Sequence, residues 1–260
     1  MKNAQRRCFL SVSCSLLFLL FVSSSASFAA SSGDSWEFHI APYAWLAGQE
    51  GTVATLPGLP PADIDVSFSD DIADNIQGAL MLIGEARKGS LGFTAEVAYT
   101  DIESDATIPG ENFTTLTSQS QSWIVSAGGF YRFFENEQGF LDGLAGVRYW
   151  SIDSELTLSG GPLGAFAVDN REDWFDPMVG LKGLSMIGSS KFYVSGFILI
   201  GGFGAGSDFM WDGNLNLGYQ WTETFSTTIG YRYLAVDYEN DDFLYDVSQD
   251  GPILGLSWRF

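Results

Sequence analysis

Histidine, the residue that most often serves as a general base, occurs once in this chain, as His39. It lies near the start of a segment in which polar and apolar residues alternate. No serine or aspartate can be paired with it from the sequence. A single histidine at an inward strand position is usually structural. We therefore predict no catalytic residue and expect that the chain is not an enzyme.

Thiol chemistry is confined to the N-terminal segment, which holds both cysteines, Cys8 and Cys14. Three basic residues precede an apolar run over 8–22, and small residues follow it, which is typical of a signal peptide cleaved after Ala29. An uncleaved anchor is disfavoured, because a spanning helix needs roughly 20 apolar residues. The predicted division is a signal peptide at 1–29 and one domain at 30–260. The exported domain is then expected to contain no disulfide or thiolate metal site.

Carboxylates are the most abundant ionisable groups, and the net charge is −20. Such a surface repels phosphate, so nucleic acid is excluded as a partner. The spacing of Asp237, Glu239 and Asp241 is similar to the start of a calcium loop. However, Asp242 stands at the sixth position instead of glycine and Ser248 at the twelfth instead of glutamate, so it is not an EF-hand. Divalent cations remain an open partner, solvated acidic loops are favoured, and no metal site or cofactor is predicted.

The elements that must position these groups are strands, because the dominant hydrophobic period from residue 36 onwards is two. Ten segments of about ten residues each follow one another, as in membrane-spanning barrels. They are 36–47, 77–88, 91–102, 121–134, 140–152, 174–186, 191–203, 208–221, 225–237 and 248–260. The prediction is an all-β, closed antiparallel transmembrane β-barrel of about 10 strands, with 8 or 12 also compatible. A soluble lipocalin-like barrel is the disfavoured alternative.

Parity along each strand assigns the side chains to two faces. Short turns and longer acidic loops alternate, so we place the turns in the periplasm and the acidic loops outside. Aromatic residues gather near the strand ends, as in the interfacial girdles of membrane barrels. The turn-side girdle is predicted to contain Trp36, Tyr131, Phe133, Tyr219, Trp221, Phe225, Trp258 and Phe260. The loop-side girdle is predicted to contain Trp45, Tyr99, Trp123, Phe209, Trp211 and Tyr233.

Charged residues at inward positions are nearly balanced in sign, whereas the loops are acidic. The predicted lumen charge network comprises Glu37, Glu85, Arg87, Glu96, Arg132, Asp142, Arg148, Asp176, Lys182, Asp212, Arg232 and Arg259. A ten-stranded lumen is narrow, and its ions need partners or water. The network is interpreted as structural salt bridges in preference to a polar channel whose bridges open transiently. The predicted acidic mouth, which would attract cations, comprises Asp70, Asp71, Asp241 and Asp242.

The first long loop has a pattern of its own. The segments 51–56 and 63–68 alternate and are joined by a proline-rich connection, so they predict a small hairpin. Residues 69–76 then predict one or two helical turns capped by Ser69. Such a segment could fold over the mouth or into the lumen, and a flexible outer loop is the alternative.

Several motifs resemble a proteobacterial outer-membrane β-barrel family of unassigned function. They are LPPADIDVSF at 59–68, GVRYW at 146–150, GGFGAGSDFMW at 201–211 and GYRYL at 230–234. The alternating last strand ends on Phe260, similar to the assembly signal that the barrel assembly machinery reads in such proteins. The resemblance implies a barrel in the cell outer membrane but carries over no catalytic or ligand residue.

Two functions from different classes follow as hypotheses. The first is a narrow porin-like passive channel with an acidic, cation-attracting mouth. The second is a non-conducting structural or surface-interaction barrel with a plugged lumen, whose loops contact divalent ions, lipopolysaccharide or a partner. The expected surroundings in either case are outer-membrane lipid and lipopolysaccharide. An outer-membrane enzyme is the third, disfavoured hypothesis.

Overall fold

The computed structural model describes residues 35–108, 113–162 and 164–260. The predicted signal peptide and its cleavage site lie outside these residues. Within them the regular structure is twelve strands and one π-helical turn, Phe68–Ile72. The strands are β1 Trp36–Trp45, β2 Gly48–Ala54, β3 Ala62–Val66, β4 Ile76–Lys88, β5 Leu91–Thr107, β6 Thr115–Asn136, β7 Gly139–Ser159, β8 Phe166–Met186, β9 Phe192–Gly201, β10 Phe209–Gln220, β11 Phe225–Asn240 and β12 Phe243–Arg259. In this part of the chain no helix has the length and apolar character to cross a membrane.

Ten of these strands close into an antiparallel barrel. β1 pairs with β4, each strand from β4 to β12 pairs with the next, and β12 pairs back with β1. The closing seam places His39 opposite Arg259 and Trp45 opposite Ile253. Closure leaves no sheet edge among these ten strands, which a bilayer requires because lipid cannot satisfy backbone polar groups. The predicted fold class, a closed antiparallel barrel of ten strands, is confirmed.

The outer face of the wall is apolar. Its most exposed aliphatic and aromatic side chains include Leu80, Leu91, Phe93, Leu215 and Ile229, each more than half exposed. So many exposed apolar side chains are unfavourable in water and favourable in lipid. Aromatic pairs lie at the loop-side margin of this face, among them Tyr99–Trp123 and Trp211–Tyr233.

One predicted girdle residue lies elsewhere. Trp45 is buried inside the barrel, where the guanidinium of Arg232 lies 4.8 Å from its ring. The physical reason is strand parity. Trp45 and Tyr43 are separated from His39 by an even number of residues on β1, so they lie on the same inward face as His39. The prediction of Trp45 as an interfacial residue is therefore wrong.

The loop end of the barrel is built from strand extensions. β6, β7 and β8 have 22, 21 and 21 residues, whereas β1 and β9 have 10 each. About 9–11 residues suffice to cross a bilayer, so the long strands continue the wall beyond it. Much of the predicted loops at 103–120 and 153–173 is sheet, because β5, β6, β7 and β8 continue their pairing there.

The first loop forms the hairpin that its alternation predicts. β2 pairs with the outer part of β12, and β3 pairs with β2, so the hairpin continues the wall at the loop end. Val53 and Ile64 pack against the hydrophobic interior of the barrel. The π-helical turn follows β3, near the position predicted for a helical turn. The segment therefore joins the wall, while its inward side chains add to the filling of the outer lumen.

Candidate functional site in the barrel lumen

Four charged side chains meet at the centre of the lumen. Asp212 accepts from Arg148 at 2.7 Å and from Arg232 at 2.6 Å. Glu96 accepts from Arg232 at 2.6 Å and lies 3.7 Å from Arg148. Their side chains are at most 10% exposed. The four charges balance, which is the condition for burying ions at an acceptable energy. We call Glu96, Arg148, Asp212 and Arg232 the central cluster.

Neighbouring side chains seal the central cluster. The hydroxyl of Tyr43 donates to Glu96 at 2.5 Å and accepts from Arg232 at 3.0 Å. Met210, which is fully buried, places its sulfur 3.4 Å from an Arg148 nitrogen. Ser126 accepts from Arg148 at 2.9 Å. The guanidinium groups thus contact protein on several sides.

A second group of ion pairs lies nearer the turn end. Arg132 binds both oxygens of the fully buried Asp142, at 2.8 and 3.2 Å. Lys182 lies 3.8 Å from Asp142 and 2.5 Å from Glu85. Arg87 pairs with Glu37 at 2.5 Å. The ammonium of Lys182 also lies over the ring of Phe130 at 3.6 Å, a cation–π contact.

Two residues of the predicted network have other partners. Asp176 accepts from the indole nitrogen of Trp150 at 2.8 Å and from the backbone and hydroxyl of Ser207, both at 2.7 Å. It therefore anchors the β9–β10 turn, where Phe203 adopts a φ of 53°. Arg259 lies at the turn end and donates to the carbonyl of Glu223 at 3.4 Å. Neither contact was predicted, because cross-strand register is not visible in the sequence.

Gly146 and Gly230 each stand two residues before an arginine of the central cluster. A Cβ on Gly146 would lie 2.3 Å from the carbonyl oxygen of Ala127, and one on Gly230 would lie 2.4 Å from that of Leu215. Both glycines therefore permit close approach of the neighbouring strand, a use that glycine serves at crowded sheet positions.

Between the central cluster and the loop end, a layer of aromatic side chains occupies the lumen. Trp150 stacks on Trp174 at 5.6 Å between ring centroids, and Trp174 stacks on Tyr238 at 4.0 Å. Phe243 and Tyr245 meet Trp174 edge-on at 6.3 and 6.1 Å. All five side chains are at most 6% exposed. The layer connects β7 and β8 to β11 and β12 across the lumen, and we refer to these five residues as the aromatic layer.

The residues of the predicted acidic mouth lie at the loop end. Asp71 belongs to the π-helical turn and accepts from the backbone nitrogen of Ser67 at 2.8 Å. Asp241 and Asp242 form the exposed β11–β12 turn, where Asp241 has a φ of 50°, a conformation that aspartate tolerates. The side chain of Asp70 lies outside the described part of the structure.

Further carboxylates stand on the strand extensions. Asp237 pairs with Asp246 across β11 and β12, and both are exposed beyond the loop-side girdle. Partial loss of hydration, followed by the negative charges of Asp246, Asp208 and Glu239, raises the pKa of the Asp237 carboxyl above its ordinary value. These carboxylates lie close enough to repel one another, so the loop end carries concentrated negative charge.

Between the central cluster and the turn end, the lumen is open. A cavity of about 670 Å³ extends to the turn end, where Asn136, Glu137 and Thr224 line it. Apolar side chains such as Ile83, Phe197 and Ile253 line it further in. The lumen is thus occupied by buried side chains at the central cluster and at the level of Trp150 and Trp174, and it is hollow between the central cluster and the turn end.

His39 lies in the wall of this cavity, and it has the partner that the sequence could not identify. Its Nε2 is 2.5 Å from the hydroxyl oxygen of Ser257. The two residues are 218 positions apart in the chain, and only barrel closure between β1 and β12 brings them together. Parity could have placed Ser257 on the inward face, but the register that joins it to His39 could not be predicted.

Comparison with known proteins finds structural likeness without sequence likeness. No family model and no curated protein matches the chain. The fold is similar to outer membrane protease OmpT from Escherichia coli, with 11% identity over 91% of this chain and 99% of that one, and a TM-score of 0.56. The translocator domain of autotransporter NalP from Neisseria meningitidis matches at 10% identity over 88% and 90% of the two chains, with a TM-score of 0.49. Ail, the attachment invasion locus protein of Yersinia pestis, matches at 13% identity over 87% and 99%, with a TM-score of 0.35.

The fold is that of the outer-membrane β-barrels. Ring closure, the apolar outer face and the likeness to OmpT agree on it. At 11% identity the likeness to OmpT concerns the fold alone, and its protease activity is not carried over. The similarity of the motifs at 59–68, 146–150, 201–211 and 230–234 to one unassigned family stays a prediction.

Proposed function

We propose that this chain is an integral outer-membrane barrel that blocks the passage of ions and solutes from one side of the membrane to the other and binds ions or partners at its loop end. One observation carries the proposal: two successive layers of buried side chains, the central cluster and the aromatic layer, fill the lumen. A passive pore needs a continuous polar path, and at these levels the inward groups are bonded to one another. This is the plugged-barrel hypothesis of the sequence analysis.

The surface that such a barrel displays is the strand-built wall beyond the membrane. Its carboxylates, including Asp71, Asp237, Asp241 and Asp242, generate a negative potential. The chemistry that fits this surface is cationic: divalent ions bridging to lipopolysaccharide phosphates, or a basic partner. The aromatic girdles suit the lipid interfaces, and the last strand ending on Phe260 suits recognition by the barrel assembly machinery. Removal of an export signal at 1–29 is part of the same proposal.

The narrow cation-attracting channel is the second candidate. The observation that favours it is the cavity of about 670 Å³, which already opens the turn-side half of the lumen. Conduction would then require the central cluster and the aromatic layer to separate together. Several ion pairs and ring stacks would have to break at once, which makes this the less supported function.

Liposome swelling tests the proposal. Folded protein, verified by heat-modifiable gel mobility, is reconstituted and challenged with small sugars and salts. We expect swelling no faster than that of protein-free liposomes, while a general porin in matched vesicles supplies the positive control. Swelling that rises with the amount of folded protein would contradict the closed barrel and favour the channel.

A further inference from the structure

The contact between His39 and Ser257 has the geometry of an activated nucleophile. A serine hydroxyl becomes nucleophilic when an imidazole nitrogen within hydrogen-bond reach, about 3.2 Å or less, can take its proton. Here Nε2 and Oγ lie 2.5 Å apart. Both side chains are only partly buried and line the cavity, so a molecule in the cavity can reach them. A purely structural hydrogen bond would not need this access.

Charged side chains of the kinds that acyl transfer uses surround His39 and Ser257. Glu85 stands directly opposite His39 in the β1–β4 register, so its carboxylate can stabilise an imidazolium. Lys182 holds Glu85 at 2.5 Å and lines the same cavity, as does Arg259. Cationic groups near a reacting carbonyl stabilise the negative charge that develops on its oxygen. The site thus brings together a serine hydroxyl, an imidazole, a carboxylate and two cationic side chains.

The cavity defines the class of substrate. A volume of about 670 Å³ falls within the range of roughly 300–1,000 Å³ that small-molecule sites occupy. Beyond the pair, the walls include Ala41, Ile83, Phe197 and Ile253, which suit an apolar chain. The opening at the turn end, which faces the periplasm in outer-membrane barrels, admits molecules from that side.

We propose that Ser257 and His39 hydrolyse small carboxylic esters with apolar acyl chains that enter from the periplasmic side. The Ser257 oxygen attacks the ester carbonyl carbon while its proton passes to Nε2 of His39. The carbon–oxygen bond to the alcohol then breaks, and the alcohol leaves with that proton. Water attacks the acyl-enzyme, gives a proton to His39 and releases the carboxylic acid as the proton returns to Ser257. Ester and water thus yield acid and alcohol, and no other reactant is needed.

Fluorophosphonate labelling of the folded barrel tests the nucleophile. We expect mass spectrometry to find the phosphonyl group on Ser257, and Ser257→Ala to abolish labelling. His39→Gln should slow labelling by about 100-fold or more, the usual contribution of a general base. Ser226→Ala is the matched control: Ser226 lies opposite Ser257 in the β11–β12 register but bonds to Tyr193, so this variant should label like wild type.

Hydrolysis of p-nitrophenyl butyrate tests the activity and the positioning role of Glu85. Ser257→Ala should abolish turnover, and Glu85→Gln should reduce it by about tenfold or more with Glu85→Asp restoring part of it, while heat-modifiable mobility stays unchanged. Turnover that persists in Ser257→Ala would overturn the proposal. Absence of labelling at Ser257 in a folded barrel would also overturn it and leave a structural hydrogen bond only. Neither result bears on lumen closure, which liposome swelling measures independently.

Discussion

At the scale of single residues, the central cluster determines what the lumen can do. Glu96, Arg148, Asp212 and Arg232 come from β5, β7, β10 and β11, so their contacts hold distant parts of the wall together. Burying four ions is costly, and the mutual contacts offset that cost only while every partner is present. Under the proposed function, the same contacts that block the lumen also stabilise the barrel.

Removing one member of the central cluster should be strongly destabilising. Asp212→Ala leaves both guanidinium groups without their shared acceptor, and we expect a loss of about 3–5 kcal/mol in the free energy of unfolding. Arg171→Ala is the control, because Arg171 and Asp173 are 56% and 41% exposed and exposed ion pairs contribute little to stability. Urea unfolding in detergent measures both. Equal effects of the two variants would refute the structural role of the cluster.

Because the pKa of Asp237 is raised in the folded barrel, replacing Asp237 with a neutral residue should stabilise the barrel, and this effect should depend on pH. Above the folded-state pKa, the charged carboxylate is less favourable in the folded barrel than in the unfolded chain. Asp237→Asn should therefore raise the unfolding temperature at neutral pH. The gain should disappear below the unfolded pKa of about 3.9, where both states are protonated. Heat-modifiable mobility across pH measures it, and a gain that grows as pH falls would show that the sign is wrong.

At the scale of elements, alternation in the sequence was sufficient to find all ten barrel strands and the first-loop hairpin. It was insufficient where both faces of a strand are polar. The stretch at 115–122 is rich in serine, threonine and glutamine, so strand β6 there looks like a loop. The pairing register between neighbouring strands could not be predicted either, because it depends on how the strands are staggered around the closed barrel. For that reason the contacts of His39 with Ser257 and of Asp176 with Ser207 could not be predicted.

The outer face of β12 should be sensitive to charge. Leu254 is 49% exposed on the apolar outer wall, and Leu254→Arg should weaken folding into bilayers by about 2–4 kcal/mol if it lies near the midplane. The control is Leu254→Phe, which keeps the position apolar. Equilibrium folding into lipid vesicles measures both variants. Full folding stability of Leu254→Arg would contradict the assignment of this face to lipid.

At the scale of the whole molecule, charge is separated along the barrel axis. The lumen is nearly balanced, whereas the loop end is acidic. Fields from exposed carboxylates extend about 8–10 Å at physiological salt, so neighbouring groups at the mouth reinforce one another. Under the proposed function, the molecule therefore combines a blocked interior with an exterior that concentrates cations.

This separation predicts selectivity in a barrel opened by mutation. Replacing Trp150, Trp174, Arg148 and Asp212 with alanine removes parts of both filling layers without changing the net charge. We expect this variant to conduct and to prefer cations, more strongly at low salt. Converting Asp70, Asp71, Asp241 and Asp242 to asparagine in the same background should reduce the preference. Reversal potentials across a salt gradient measure it, and anion preference would contradict the steering role of the mouth.

The central claim is that the wild-type lumen is closed, and planar-bilayer recording tests it most directly. Folded wild-type protein is inserted into a bilayer in concentrated salt, with a general porin recorded under the same conditions. We predict a baseline indistinguishable from the bare bilayer, because buried and mutually bonded side chains occupy the lumen at the central cluster and the aromatic layer. Stable, stepwise conductance from the wild-type barrel at low voltage would contradict the claim.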